Sequence, residues 1–222
     1  MTTAAPYAAL MGDLVHSEGH RDTARLHRAF NTAIARGNSH GAAAIASPLT
    51  ITLGDEFQGL VYSLREAAIL ARAIRFDLAE QGIECRFAIG LVHLATALNV
   101  QQAWNMLGPG LAATREKLDA KNPDNLYRFA LGDEPVTEAL LEACGATLTF
   151  IERGWSDTQR RYVTELVDDR SVAEIARRHA VSPAAVYKVR ASGHHDLYAL
   201  QWDTVLDTLA ALDTKHQLPG AG

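Results

Sequence analysis

Two stretches of the chain share one pattern, in which an apolar run stops at Gly-Asp. The first is Tyr7–Asp13, and the second is Ile51–Asp55, which continues through Glu56 into another apolar run. Glycine and adjacent carboxylates favour a turn over a strand, so the second stretch predicts an antiparallel β-hairpin with Asp55 at its tip. The first stretch predicts a buried strand that ends at Asp13.

Apolar residues recur at helical spacing between and after these strands. The spacing predicts helices over Thr23–Arg36 and Leu64–Gln81, followed by a second long strand over Ile83–Leu94. Helices that return to one sheet are typical of an α+β fold, with the helices in one layer on one face of the sheet. Further predicted elements are a helix opened by Gly108-Pro109-Gly110, an edge strand over Leu126–Leu131 and a long helix over Glu134–Ile151.

The sequence changes near residue 153 to short, charge-rich helices with clear capping residues. Ser171 and Glu174 form a capping box, and Ser182-Pro183 places a cap and a proline at the start of the next helix. A tight link between two short capped helices is the signature of a helix-turn-helix. We therefore predict a sheet domain over 1–152, a helix-turn-helix domain over 153–215 and a disordered tail over 216–222.

Composition and charge restrict the class of protein. A net charge of -5 argues against a chain that coats nucleic acid non-specifically, so any contact with DNA must be regional. Cys85 and Cys144 have no metal-like spacing and fit reduced thiols in the cytoplasm. The N-terminus lacks the features of a secretory signal, and no run is long and apolar enough to span a bilayer. These observations predict a cytoplasmic protein without a membrane partner.

Asp13 and Asp55 are the candidate metal ligands. If the first strand lies beside the hairpin, both carboxylates reach the same end of the sheet, where Mg²⁺ or Mn²⁺ could complete its shell with water and phosphate oxygens. The loop after Asp13 could bind phosphate through backbone N–H groups, with Ser17 adding a hydroxyl. The alternative is that each aspartate simply ends a strand in solvent and that the loop is an ordinary turn.

The helix that begins after Ser182 carries the candidate DNA contacts. Ser182 and Tyr187 can contact bases or phosphates, and Lys188 and Arg190 can contact phosphates. The alternative is that the short helices after residue 153 form a docking or dimerisation module for another protein.

Residues 7–131 resemble the catalytic domain shared by class III nucleotidyl cyclases and GGDEF diguanylate cyclases. Met11-Gly12-Asp13 is similar to their first metal-binding strand, and Leu53-Gly54-Asp55-Glu56-Phe57 is similar to their hairpin. The chain resembles the SatD family more closely, of which members end in a helix-turn-helix. The cyclase resemblance implies a ferredoxin-like antiparallel sheet and a homodimer in which Arg115 points across the interface toward phosphate near Asp13 and Asp55 of the other chain.

Three positions depart from the cyclase pattern. Ile51 stands where adenylyl cyclases place a base-reading lysine, Leu111 where they place a transition-state asparagine, and Leu53 where diguanylate cyclases place the first glycine of the hairpin motif. The sequence therefore favours a cytoplasmic DNA-binding regulator whose cyclase-like domain binds nucleotide and divalent metal. The alternatives are a metal-dependent nucleotidyl-transfer or nucleotide-hydrolysing enzyme, and a non-catalytic scaffold for a protein partner.

Overall fold

The computed structural model describes residues 5–15, 22–120 and 124–220. The strands are β1 (Pro6–Leu14), β2 (Ile45–Leu53), β3 (Glu56–Val61), β4 (Cys85–His93) and β5 (Tyr127–Ala130). The helices are α1 (Thr23–His40), α2 (Leu64–Ala79), α3 (Leu111–Asp119), α4 (Pro135–Gly154), α5 (Asp157–Val167), α6 (Val172–Arg178), α7 (Pro183–Ser192) and α8 (His195–Lys215). The predicted order of strand, helix, hairpin, helix and strand is confirmed by β1 through β4.

The five strands form one mixed sheet in the order β2-β3-β1-β4-β5, and the chain has an α+β fold. The first four strands pair antiparallel, whereas β5 pairs with β4 in parallel. The predicted antiparallel sheet is therefore wrong at this edge. The reason is that the chain passes from β4 to β5 through α3, and such a crossover connection returns the next strand in the same direction.

The helices cover both faces of the sheet. The first face carries Leu10, Phe57 and Phe87, which belong to the main core together with residues of α1 and α2. The second face carries Met11 and Ala88, which pack with α3 residues in a smaller cluster. The prediction of helices on one face is therefore wrong, because α3 lies on the second face. A Cβ at Gly90 would overlap Thr114 of α3, so this glycine permits the close approach of helix and strand.

The same alternation sets the direction of Asp13. Successive side chains of a strand point to opposite faces. Leu10 and Leu14 lie in the main core on the first face, so Asp13 shares the second face with Met11. Gly12 between them lies so close to Phe57 that a Cβ would overlap the ring. The Gly-Asp pair therefore combines close packing on one face with a carboxylate on the other.

Helices α5, α6 and α7 share a small apolar cluster of their own, made by Tyr162, Ile175, Ala176 and Val186. Helix α8 instead contributes to the main core, although the predicted division at residue 153 assigns it to the second domain. Its buried residues in this core are Tyr198, Trp202, Val205, Leu209 and Leu212. Each is three or four positions from the next, so α8 presents one continuous apolar face to α2 and α4.

Residues 216–220, which the sequence predicts to be disordered, lie against the sheet domain. Leu218 is buried in the main core, and the N–H of Gly220 donates to the carbonyl of Tyr62 at 3.0 Å. The apolar Leu218 anchors this part of the tail. Residues 221 and 222 lie outside the described part of the chain. Among the described helices, none combines the length and the apolar character that crossing a membrane requires.

Candidate functional site

The register of β1 and β3 brings the predicted metal ligands to one end of the sheet. Asp13 is paired with Glu56, and the N–H of Leu14 donates to the carbonyl of Asp55 at 3.0 Å. Asp55 occupies the turn between β2 and β3, one residue before Glu56. Three carboxylates, from β1, β3 and the turn before β3, therefore lie near one another. We call Asp13, Asp55 and Glu56 the carboxylate group.

Arg86 of β4 supplies one cation to this group. Its Nε and Nη2 atoms lie 2.9 and 2.8 Å from Oδ2 of Asp13, the residue with which it is paired across β1 and β4. Burial raises the pKa of Asp13, Arg86 opposes that rise, and the charges of Asp55 and Glu56 add to it. The net result is a raised pKa. The ionised form of Asp13 is therefore incompletely compensated by the protein itself.

Arg115 lies on α3, facing the same side of the sheet. Its Nη1 lies 2.6 Å from Oε2 of Glu56, and its Nη2 donates to Oε1 of Gln58 at 2.9 Å. Both partners belong to its own chain, and the contact across a dimer interface that the resemblance implies stays a prediction. Sequence reasoning missed Arg86 and Gln58. The alternation of polar and apolar residues along β4 and β3 could have identified both residues. Arg86 is next to the apolar Phe87, and Gln58 is next to the apolar Phe57, so each polar side chain points to the opposite face.

A cavity of about 310 Å³ adjoins Arg115 on the second face of the sheet. Its walls are mostly apolar side chains, and Gln58 and Arg115 are the polar side chains that line it. The apolar residues are Met11, Leu60, Ala103, Met106, Leu107, Leu111 and Ala112, with backbone from Gly59. An apolar pocket with a few polar groups at one side is the usual form of a small-molecule site.

The donor chemistry of the carboxylate group fits a hard divalent cation. Arg86 pairs with Asp13, and Arg115 pairs with Glu56. Carboxylate oxygens are the ligands that Mg²⁺ prefers, and one or two suffice when water and phosphate complete the shell. No group of three or more potential ligand residues converges on a single position within the described ranges. Ser17, the predicted phosphate contact, lies outside the described residues.

The candidate DNA contacts lie on α7 and at its start. The hydroxyl of Ser182 caps α7 by accepting from the N–H of Ala185 at 3.2 Å. Tyr187 is 57% exposed and Lys188 is also exposed, whereas Arg190 is half-buried. The Nη2 of Arg190 lies 2.8 Å from Oδ1 of Asp196. The exposed surface of α7 is therefore available to a partner, but the charge of Arg190 is already paired.

The connection between α6 and α7 is short and internally braced. Only residues 179–182 separate the two helices, and Ala180 has a positive φ of 52°. His179 Nε2 lies 2.7 Å from Oε1 of Glu165 on α5, and Arg170 Nη1 lies 3.1 Å from the other carboxylate oxygen. Burial raises the pKa of Glu165, but His179 and Arg170 outweigh burial and hold the pKa below its usual value. This pairing fixes the turn against α5.

Sequence comparison identifies the family. The model of the SatD family matches residues 7–199. The chain belongs to the SatD family. No curated protein matches the sequence.

Comparison with solved structures finds nucleotide cyclases among the similar folds of this SatD protein. A bacterial light-regulated adenylyl cyclase has a TM-score of 0.44 and 12% identity, covering 56% of this chain and 75% of that one. The guanylyl cyclase Cya2 has a TM-score of 0.37 and 13% identity, covering 57% and 76%. The guanylyl cyclase domain of the RhoGC fusion protein from the aquatic fungus Blastocladiella emersonii has a TM-score of 0.40 and 12% identity. The match covers 55% of this chain and 77% of that one.

Proposed function

We propose that this SatD protein is a cytoplasmic, homodimeric DNA-binding regulator whose sheet domain binds a nucleotide with Mg²⁺ or Mn²⁺. The observation that carries the proposal is the pairing of Asp13 with Glu56, beside Asp55, on the second face of the sheet. The raised pKa of Asp13 supports it, because a bound cation would favour the ionised carboxylate that the protein leaves incompletely compensated.

The sheet and the short helices α6 and α7 each support one part of this proposal. The order β2-β3-β1-β4 with antiparallel neighbours supports a ferredoxin-like core, to which β5 is added at one edge. Helices α6 and α7, joined by four residues and packed in one cluster, support a helix-turn-helix with α7 as the recognition helix. In this arrangement Tyr187 reads bases and Lys188 contacts phosphate.

The cavity beside Arg115 supports a nucleotide as the ligand. Its apolar walls suit a planar base, while the carboxylate group at the end of the sheet suits a metal that carries phosphate oxygens. Arg115 would contact phosphate only after its ion pair with Glu56 breaks. The loss of that ion pair offsets part of the free energy that Arg115 contributes to phosphate binding. Leu111 supplies no amide to stabilise a transition state. These features favour binding over turnover.

The test measures ligand binding and product formation in the same samples. The full-length protein is incubated with each nucleoside triphosphate and Mg²⁺ or Mn²⁺, and both its melting temperature and pyrophosphate or phosphate release are followed. We expect at least one nucleotide to raise the melting temperature in a metal-dependent manner, without product. The rise should disappear in Asp55→Asn and persist in Asp203→Asn, a matched change at an exposed site on α8.

Two other outcomes would contradict the proposal and favour one of its two alternatives. Product that forms with the wild type and is lost in Asp55→Asn would make the protein an enzyme. The absence of any stabilisation by nucleotide or metal, together with no DNA binding, would favour the scaffold alternative.

A further inference from the structure

The outer face of α4 is apolar although it is exposed. Val136, Leu140 and Phe150 are 73%, 64% and 79% exposed. Ala143 and Thr147 lie between them, so the five residues are separated by four, three, four and three positions. This is the heptad spacing that keeps side chains on one side of a helix that packs against another helix. We call these five residues the α4 seam.

The acidic residues of α4 point toward the protein instead of toward solvent. Glu138 accepts from the N–H of Leu131 at 2.8 Å, and Glu142 accepts from the N–H of Phe129 at 2.9 Å. Glu152 is buried and accepts from the hydroxyls of two tyrosines. An ordinary surface helix shows the opposite arrangement, with charges outward. The uncharged seam is therefore a specific feature of this helix, and such faces mark interaction sites.

We propose that the α4 seam packs antiparallel against the α4 seam of a second copy of this chain. A two-fold axis brings identical surfaces together, so a surface without charge meets no like-charge repulsion. Ala139, Ala143 and Ala146 are small and lie on or beside the seam, which lets two helices approach closely. The surface and its partner are inferred from α4 alone and do not depend on nucleotide or DNA binding.

The length of α4 sets the size of this interface. Its 20 residues span about 30 Å, so a stripe about 10 Å wide covers roughly 300 Å² in projection. A standard interface buries about 800 Å² per partner. Helix α8 runs antiparallel to α4, since Tyr198 meets Glu152 and Lys215 meets Glu134, and it carries the exposed apolar residues Leu197 and Leu200. Because this stripe is smaller than a standard interface, we expect a dissociable dimer whose population depends on protein concentration.

The seam also predicts which residues meet. Because Ala143 is at its centre, an antiparallel pair places Ala143 opposite Ala143 of the other copy. The same symmetry places Val136 opposite Phe150 and Leu140 near Thr147. A parallel pair would instead place every seam residue opposite itself.

Sedimentation equilibrium over a range of concentrations tests the surface. We expect a monomer–dimer equilibrium that is weakened at least roughly a hundredfold in Leu140→Glu and in Phe150→Glu, because each puts two unpaired carboxylates into an apolar contact. Val100→Glu is the matched control, since Val100 is an exposed apolar residue far along the chain from α4. A wild type that stays monomeric, or a dimer that is weakened equally by the control or not at all by the seam variants, would overturn the proposal.

Disulfide trapping tests the direction in a Cys144→Ser background, which removes the half-exposed native thiol beside the seam. Under mild oxidation, Ala143→Cys should give a covalent dimer while Val136→Cys alone should not. Val136→Cys mixed with Phe150→Cys should give the mixed dimer. Self-linking of Val136→Cys as efficient as that of Ala143→Cys would contradict the antiparallel arrangement.

Discussion

Arg115 of α3 and Glu56 of β3 form an ion pair within one chain, with 2.6 Å between Nη1 and Oε2. Glu56 is also the residue paired with Asp13 in the sheet. Arg115, which the cyclase resemblance assigns to phosphate, is thus linked directly to the carboxylate group. An anionic ligand that uses Arg115 must compete with Glu56 for it.

The first prediction follows from this competition. Glu56→Gln should raise the affinity for inorganic tripolyphosphate, measured calorimetrically without divalent cation, by roughly threefold to tenfold, since a partly exposed ion pair has a modest strength. Adding Arg115→Ala should remove the gain. Glu116→Gln, which removes an exposed carboxylate from the same helix, should have a smaller effect. Unchanged affinity in Glu56→Gln would show that Arg115 does not serve phosphate.

The second prediction concerns the candidate DNA surface. Lys188→Ala should weaken binding to every DNA sequence and reduce the slope of log affinity against log salt concentration by about 1, because one phosphate contact is lost. Arg190→Ala should have less effect, since Asp196 already pairs with Arg190, and Asp196→Ala should strengthen binding. Tyr187→Ala should alter sequence preference. Fluorescence anisotropy with salt titration measures all four variants.

Lys215→Ala is the control for that series, because Lys215 pairs with Glu134 at the far end of α8. A protein that binds no DNA at low salt would contradict the regulator proposal. Equal losses in Lys188→Ala and Lys215→Ala would show that only net charge matters.

The sequence was sufficient to predict α1, α2 and the closeness of Asp13 to Asp55. Helical periodicity defines α1 and α2, and the two Gly-Asp endings place Asp13 and Asp55 at strand ends, which the β1–β3 register brings together. The early part of β2 was not predicted, because residues 42–47 are mostly alanine and carry little pattern. Short apolar segments give a weak signal for strand or helix.

The contacts of Arg115 could not be predicted from the pattern. They depend on α3 crossing to the second face of the sheet, and handedness and layer are properties of the tertiary fold that a single helix does not encode. Helix α8 was missed although its signal was present. The spacing of Tyr198, Trp202, Val205, Leu209 and Leu212 is helical, but the pattern of one helix does not say which domain it packs against.

The third prediction tests whether α8 belongs to the sheet domain. Asp213 accepts from the N–H groups of Leu64 at 2.6 Å and Arg65 at 3.1 Å, at the start of α2. Asp213→Ala should lower the free energy of unfolding by about 1–2 kcal/mol, as loss of a helix cap does. Asp203→Ala, at an exposed position of α8, should change it little. Urea denaturation followed by circular dichroism gives both values.

A fragment of residues 1–152 extends the same test. Without α8 it lacks the Tyr198 and Trp202 side chains that lie in the main core, and it exposes apolar surface of α2 and α4. We expect no cooperative unfolding transition for this fragment. A fragment that unfolds cooperatively with the stability of the full chain would support the division at residue 153 and show that α8 contributes little.

The last prediction concerns the pH dependence of the ion pairs that Glu165 of α5 forms with His179 and Arg170. Glu165 has a lowered pKa in the folded chain, because His179 and Arg170 favour its ionised form more than burial opposes it. A carboxyl group with a lowered folded pKa stabilises the fold above its unfolded pKa of about 4.3, and this contribution is lost as pH falls through the folded pKa. Glu165→Gln should therefore lower the free energy of unfolding by about 1 kcal/mol at pH 7. The difference from wild type should narrow below about pH 4. Denaturation at several pH values measures it, with Asp207→Asn on the exposed side of α8 as the control. A difference that stays constant from neutral to acidic pH would assign the loss to packing instead of charge.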